Sequence, residues 1–383
     1  MTEDVLKSCA RLRDWFVNDA LPLWLERGYD HARGGFYETL DFDGRPITAQ
    51  PRRVRVQARQ IYTFTEAALT GWLPEGETLA AKAFDFYIDK ACPDEGARGC
   101  VHLLSDNGDT LDNRRDLYDQ AFLLLACAAR IKAGDDRARL LADRVMEFLN
   151  SELASPHGGW RESDAGELPR RQNPHMHLFE AFMALYTATD EDHYFDYAAR
   201  VINECFRRFM DWGEGVLREY FTETLAFDQN KREIEPGHMF EWAWLLKRYE
   251  LIADVDFSDE RNLLYVRGSH FGEDPKFFGF VSNKVNIERP QKRSAKRLWP
   301  QTEYLKASCV QAQKGDKHAA DLIAVLTSAM FDTYLSVEQS GLWIDEYDEH
   351  GAPIAKDVPA SILYHLFEAA NEVAQYAERI KSS

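Results

Sequence analysis

What this 383-residue chain lacks narrows its chemistry first. Its six cysteines (Cys9, Cys92, Cys100, Cys127, Cys205, Cys309) form no CxxC pair and are too sparse for a disulfide scaffold, which favours reduced thiols and a cytoplasmic setting. No run of about 18 apolar residues occurs, and the opening MTEDVLKSCARLRDWF is amphipathic and acidic, so neither membrane insertion nor export is expected. There is no HExxH, no GxGxxG behind a strand, no GxxxxGK[ST] and no GxSxG. Zinc hydrolysis, nicotinamide or nucleotide binding and serine-nucleophile chemistry therefore lack their usual frames. Positive charge is short as well: 46 basic against 64 acidic residues leave a formal charge of -18, a field that repels nucleic acid and anionic membranes and suits a small neutral partner. No Pro-, Gly- or Ser-rich linker divides the chain, so one domain over residues 1–383 is expected, with homodimerisation left open.

What is present is a pattern written six times: a glycine beside aromatic or apolar residues, a short polar loop, then a core-facing helix. The marker glycines are Gly35, Gly99, Gly159, Gly215, Gly279 and Gly341, at intervals of 64, 60, 56, 64 and 62 residues. Each unit has room for two helices and a hairpin-like loop, and six units predict a closed all-α ring of helix pairs, an (α/α)6 barrel. Phe36–Leu40 with the turn 41–44, Gly159–Ser163 with 164–166, and Gly341–Tyr347 with 348–351 read as hairpin arms and turns. Loops this long are usually kept because they build a site, so all six are expected at one mouth, over the N-terminal ends of the inner helices. Inner helices are expected near Arg59, Tyr118, His177, His238, Glu303 and His365.

Three helices carry nearly the same tetrad: His177-Leu178-Phe179-Glu180, His238-Met239-Phe240-Glu241 and His365-Leu366-Phe367-Glu368. A spacing of three puts imidazole and carboxylate on one helical face, where the carboxylate fixes the tautomer and raises basicity, as a proton-transfer catalyst needs. Arg59 stands at the matching point of the first unit and offers a rigid fork of donors for charge developing on a carbonyl; a salt bridge to Glu66 is its bland alternative. Arg53 and Arg55 are weaker candidates, since period two on an extended segment places both toward solvent. In the fifth unit Trp299 offers a platform for a sugar ring or simply packs, while Gln301 or Glu303 can bind hydroxyls. Tyr118 and Asp119, with Arg115, are candidates for the cavity wall. The His-to-Glu pairs look like base plus orienter, so no catalytic metal is expected. The basic run Lys292–Arg297 reads as loop surface, with a phosphate or dimer contact as the alternative.

These residues resemble a known family. Arg171–Ala181, Gly237–Trp242 and Trp299–Glu303, in that order and with these spacings, resemble the N-acylglucosamine 2-epimerase superfamily, and the likeness runs from about Gly35 to His365. It implies an (α/α)6 barrel that interconverts sugars by proton transfer without a cofactor, with its reactive arginine at Arg59 and its histidines at His177, His238 and His365. The histidine at position 177 is prominent in the aldose–ketose isomerases, so the resemblance implies a mannose isomerase acting on a small neutral monosaccharide. Epimerisation at C2 and isomerisation of a phosphorylated sugar are the alternatives. His365 is expected to carry the C1/C2 proton and His238, oriented by Glu241, the ring-opening and oxygen protons. Loss of activity is expected as an imidazole protonates near the ordinary value of about 6.5.

Overall fold

The outer helices follow from amphipathic periodicity. In α8 (Asp192–Glu204), Tyr194, Ala198, Val201 and Ile202 fall on one stripe and are buried, while the opposite face is polar. The inner helices α5 (Leu117–Lys132), α7 (Gln172–Thr189), α9 (Pro236–Ala253) and α11 (Leu298–Ala312) are buried nearly all round, the mark of helices enclosed by others. Their ends are set locally. The Asp116 carboxylate accepts the Tyr118 amide at the start of α5, Pro236 takes the first position of α9, and left-handed Asp190 and Asp254 terminate α7 and α9.

The computed structural model describes residues 2–290 and 294–382. Alternating outer and inner helices make up the ring. The outer members are α1 and α2 (Thr2–Trp15 and Leu21–Arg27, joined by one π-helical turn), α4 (Gly76–Ala91), α6 (Asp136–Phe148), α8, α10 (Ser258–Gly272) and α12 (Lys317–Asp332). The inner members are α3 (Val54–Leu69), α5, α7, α9, α11 and α13 (Leu363–Ser382). Each inner helix packs on the next, α13 returns to α3, and α1 packs on α12 and α13, closing an (α/α)6 barrel.

All six marker glycines have positive φ, and in four of the six units an inner helix hooks the backbone one or two residues past the glycine. The Gln57 side chain both accepts from and donates to the backbone of Phe36, Gln120 does so with Cys100, and Gln301 with Val281; in the third unit His175 accepts the Trp160 amide. Gly99 shows why the marker is glycine: its φ is +64°, and a Cβ there would lie 2.0 Å from Gln120 Oε1.

The loops do gather at one mouth, but their short strands pair mainly between units. Residues 52–53 pair with 103–104, 170–171 with 220–221, 233–234 with 285–286, 296–297 with 346–347, and 39–40 with 358–359; an Asp116–Ser163 bridge makes the sixth stitch. Turns at 41–44 and 348–351 form as read, yet their arms extend by only a single bridge (Leu40 with Pro46, Tyr347 with Pro353), because the rest of each arm pairs with its neighbour around the ring. This circle of ladders fixes the register of every inner helix's first turn.

Candidate active site

Counting from the residue that precedes the helical start of each unit (Arg53, Asp116, Arg171, Glu235, Arg297 and, ahead of the 3-10 turn Ala360–Ile362 that leads into α13, Pro359) shows how the site is layered. Two positions on stand Arg55, Tyr118, Asn173, Gly237, Trp299 and Ser361; six positions on stand Arg59, Phe122, His177, Glu241, Glu303 and His365. At 1.5 Å per residue the second circle lies about 6 Å below the first. His238 belongs to neither circle: it sits three positions past Glu235, so its HxFE tetrad is one turn out of register with those of His177 and His365.

That offset decides the partners. His177 Nδ1 meets Glu180 of its own tetrad at 3.0 Å, and Glu180 also accepts from the Tyr364 hydroxyl at 2.5 Å. His238 Nδ1 instead meets Glu219, from the fourth loop, at 3.0 Å, with Glu235 at 3.7 Å. His365 Nδ1 meets Glu303 of the neighbouring helix at 2.8 Å, while its tetrad partner Glu368 accepts from Tyr62. Glu241 therefore does not orient His238; one turn deeper, it approaches His177 Nε2 at 3.8 Å. In each imidazole the carboxylate takes Nδ1, leaving Nε2 to meet a substrate.

His177, His238, His365, Arg53, Arg55, Arg59, Tyr118, Asn173, Glu235, Glu241, Arg297, Trp299, Ser361 and Ile362 line a central cavity of about 230 Å³. The Trp299 ring lies between His238 and His365, with centroids 5.0 and 5.7 Å away, and its edge packs on Gly237, where a Cβ would come within 2.6 Å. Arg59 Nη2 donates to the Tyr118 hydroxyl at 2.7 Å and its guanidinium lies 4.1 Å over Phe122; Glu66 pairs with Lys132 instead. Glu303 is wholly buried and spans His365 and Lys306 (2.7 Å), so it backs the site without lining it. A larger cavity of about 290 Å³, lined by Tyr62, Glu180, Arg248 and Glu372 among others, opens at the other end of the barrel, but no imidazole lines it among the described residues.

Several expectations are corrected. Gln301 is spent on loop backbone and binds no ligand. Asp119 lies behind the wall, held by Arg55 at 3.2 Å and His102 at 2.6 Å, and Arg115 is likewise engaged by the carbonyls of Arg98 and Asn113. Glu180 supports His177 from below. Arg53 and Arg55 face the cavity rather than solvent, because the helix starts at Val54 and replaces the extended period. Within the basic run, Lys296 is buried on Asp274 at 3.0 Å and Arg297 is held by Asp345 at 2.9 Å; Lys292 and Arg293 lie outside the described residues. Glu219 escaped the sequence reading altogether. Its signal was a carboxylate three or four residues past the marker glycine, shared by Glu38, Glu162, Glu219 and Asp345, each of which grips the first turn of an inner helix or its preceding residue.

Burial lowers both central imidazoles, and their charged neighbours drive them apart. His365 is pushed well below its ordinary value by burial and by the charges of Arg59, Lys306 and His177. At His238 burial also opposes the charged form, but the charges of Glu219 and Glu235 outweigh it and raise the value to about 9. Burial lowers His177 to about 4 against its Glu180 hydrogen bond, and raises Glu241 well above the carboxylate range, helped by the Glu303 charge. The surroundings thus favour the neutral form of His365 and the protonated form of His238. Opposed shifts of this kind mark acid and base roles.

The same geometry brings candidate metal ligands together: His177 with Glu180 and Glu241, Glu219 with Glu235 and His238, and Glu241 with Glu303 and His365 each offer ligand atoms within 4.8 Å of one another. In each set the imidazole Nδ1 is already engaged by a carboxylate, so Nε2 would have to serve as the ligand.

Residues 35–369 match the family described as N-acylglucosamine 2-epimerase (GlcNAc 2-epimerase). The chain belongs to this family. It is 34% identical to a mannose-6-phosphate isomerase of Rhizobium meliloti over 99% of this chain and all of that protein, and 28% identical to a D-mannose isomerase of Thermobifida fusca over 58% of each. Among solved structures, a cellobiose 2-epimerase from Spirochaeta thermophila superposes with a TM-score of 0.87 over 98% of both chains, and a D-mannose isomerase with 0.87 over 95% and 97%, each at 22% identity. Family members thus include both isomerases and epimerases of sugars on this barrel. Among the described residues no helix is long and apolar enough to cross a membrane.

Proposed function

We propose that the chain is an aldose–ketose isomerase that interconverts a mannose-configured aldose and its ketose, with D-mannose and D-fructose as the reference pair, through a cis-enediol. The observation that carries this reading is the pair of imidazoles flanking Trp299, each with Nδ1 on a carboxylate and Nε2 left for a substrate: His365 meets Glu303 alone and burial favours its neutral form, while His238 meets Glu219 and Glu235, whose charges favour its protonated form. His238 opens the ring by protonating the ring oxygen, and then exchanges protons with the C1 and C2 oxygens. His365 takes the C2 proton and returns it to C1 on the same face. The Arg59 guanidinium, which lines the cavity, donates to the enediolate oxygens, and Tyr118 fixes its plane. His177 and a protonated Glu241 bind hydroxyls.

The names of the Rhizobium and Thermobifida relatives, both mannose-type isomerases, favour the same transformation. Epimerisation at C2 is the second reading, favoured by the cellobiose 2-epimerase relatives and by the two imidazoles flanking Trp299, which can address opposite faces of one carbon. Incubation with D-mannose in D₂O, followed by separation of fructose from glucose, tests the choice. Fructose is expected, with deuterium at C1 in proportion to the exchange of the His365 proton with solvent before it reaches C1; glucose without fructose rejects isomerisation in favour of epimerisation.

A further inference from the structure

The rim of the cavity carries a pattern that the proton-transfer chemistry leaves unused. Three inner helices are preceded by paired cations: Arg52-Arg53, Arg170-Arg171 and Lys296-Arg297. The first of each pair is buried and holds its loop, Arg52 on Asp30 at 2.9 Å, Arg170 on the carbonyls of Gly158 and Trp160, and Lys296 on Asp274. The second stands at the rim and is tethered by a carboxylate, Glu38 for Arg53, Glu162 for Arg171 and Asp345 for Arg297.

Arg53 and Arg297 line the cavity; Arg171 does not. Their sector of the ring is continuous, because the fifth loop is stitched to the sixth and the sixth to the first. Between them stands Ser361, only 5% exposed, whose hydroxyl has no partner among the described residues. The carboxylates occupy Nε of both arginines, and Nη1 of each makes no hydrogen bond among the described residues. The cavity wall as a whole carries four guanidiniums, Arg53, Arg55, Arg59 and Arg297, against two carboxyls, Glu235 and Glu241, while the carboxylates that tether Arg53, Arg55 and Arg297 (Glu38, Asp119 and Asp345) stand outside the lining.

We infer that Arg53, Arg297 and Ser361 bind a phosphate group on the terminal carbon of the substrate, so that the aldose is a hexose 6-phosphate. This rests on the isomerase reading above and names its substrate class. Arg59 and Glu303 lie six residues beyond the two rim arginines, so the rim stands about 9 Å above the floor that holds His365. That depth suits an open-chain hexose with its carbonyl end below and C6 above. Two tethered guanidiniums and a hydroxyl supply one donor group for each terminal phosphate oxygen, and charge-assisted bonds to a dianion are stronger than those to a neutral hydroxyl.

The test compares kcat/KM for D-mannose 6-phosphate, D-mannose and D-mannuronate in wild type, Arg297→Gln and Ser361→Ala, with inorganic phosphate as a competitive probe. Wild type is expected to prefer the 6-phosphate over mannose about 100-fold, a factor of about ten for each of two charged bonds. That ratio should fall about tenfold in Arg297→Gln and by a smaller factor in the conservative Ser361→Ala, with weaker phosphate inhibition in both. Mannose turned over as well as its 6-phosphate, a preference for mannuronate, or a ratio unmoved in both variants overturns the inference while leaving the isomerase reading intact. If no sugar is isomerised, the isomerase reading fails by itself. Calorimetry with inorganic phosphate then decides the rim site: binding lost in Arg297→Gln upholds it, and no binding to wild type refutes it.

Discussion

Replacing Glu219 by Gln removes one negative charge 3.0 Å from His238 Nδ1 while keeping the shape of the side chain and the oxygen that Gln172 contacts at 2.9 Å. The His238 value of about 9 is a balance in which burial pulls down and Glu219, then Glu235, pull up. An opposite charge at this range is worth roughly 1–3 pKa units, and Glu235 remains at 3.7 Å, so a fall of about 1.5 units is expected, to about 7.5. In the proposed mechanism His238 works as the acid, so its loss of a proton sets the alkaline limb of kcat/KM. At pH 8.5 the protonated fraction should drop from about three-quarters to about one-tenth, a loss near eightfold, whereas at pH 6.5 it should change by roughly a tenth. The assay is a pH profile of both proteins from 5 to 10 on the preferred substrate. An alkaline limb that stays at its wild-type position in a folded Glu219→Gln variant, or a loss equal at every pH, refutes the assignment of His238 as an acid poised by Glu219. The same shift is a stability term. Its folded value lies above the unfolded value of about 6.5, so the stabilisation is complete below that pH and is lost as pH rises through about 9.

Further outcomes separate the neighbouring groups. Asn in place of His365 should cut C2 deuterium exchange by about 10²–10⁴-fold with sugar binding still measurable, and the acid limb of wild type should lie well below pH 6.5 because the buried imidazole resists protonation. Glu241→Gln should retain most activity, since a carboxyl already held neutral loses little as an amide, whereas Glu303→Gln, which removes the charge at His365 Nδ1, should not; equal damage from both would contradict a protonated Glu241. Activity should survive prolonged chelation with metal content verified by elemental analysis. Activity lost on chelation and restored by one divalent cation would move the chemistry to the carboxylate–imidazole clusters.

The architecture was legible because it is periodic: six glycines recur every 56 to 64 residues, each at positive φ, and in four units an inner-helix side chain hooks the backbone just past the glycine, so sequence spacing and ring geometry are one constraint. Site membership was legible where a side chain reaches inward from the second or sixth position of its helix, as Tyr118, Trp299, Arg59, His177 and His365 do. The partners were not. A helix announces in sequence only its own i,i+3 and i,i+4 neighbours, and of the three HxFE tetrads only that of His177 pairs its histidine with its own glutamate. His365 reaches across to Glu303, 62 residues away, and His238 to Glu219, 19 residues back, and those contacts exist only once the ring closes. The HxFE tetrads misled for a related reason. Phe179, Phe240 and Phe367 all face the packing between helices, so likeness among the tetrads reports a shared apolar face as much as a shared catalytic position. With one tetrad a turn higher, His238 comes within 3.0 Å of a loop carboxylate, and Glu241 takes the floor position that histidine holds in the other two. One turn of offset between near-identical motifs is thus what gives one imidazole an acid's environment and another a base's.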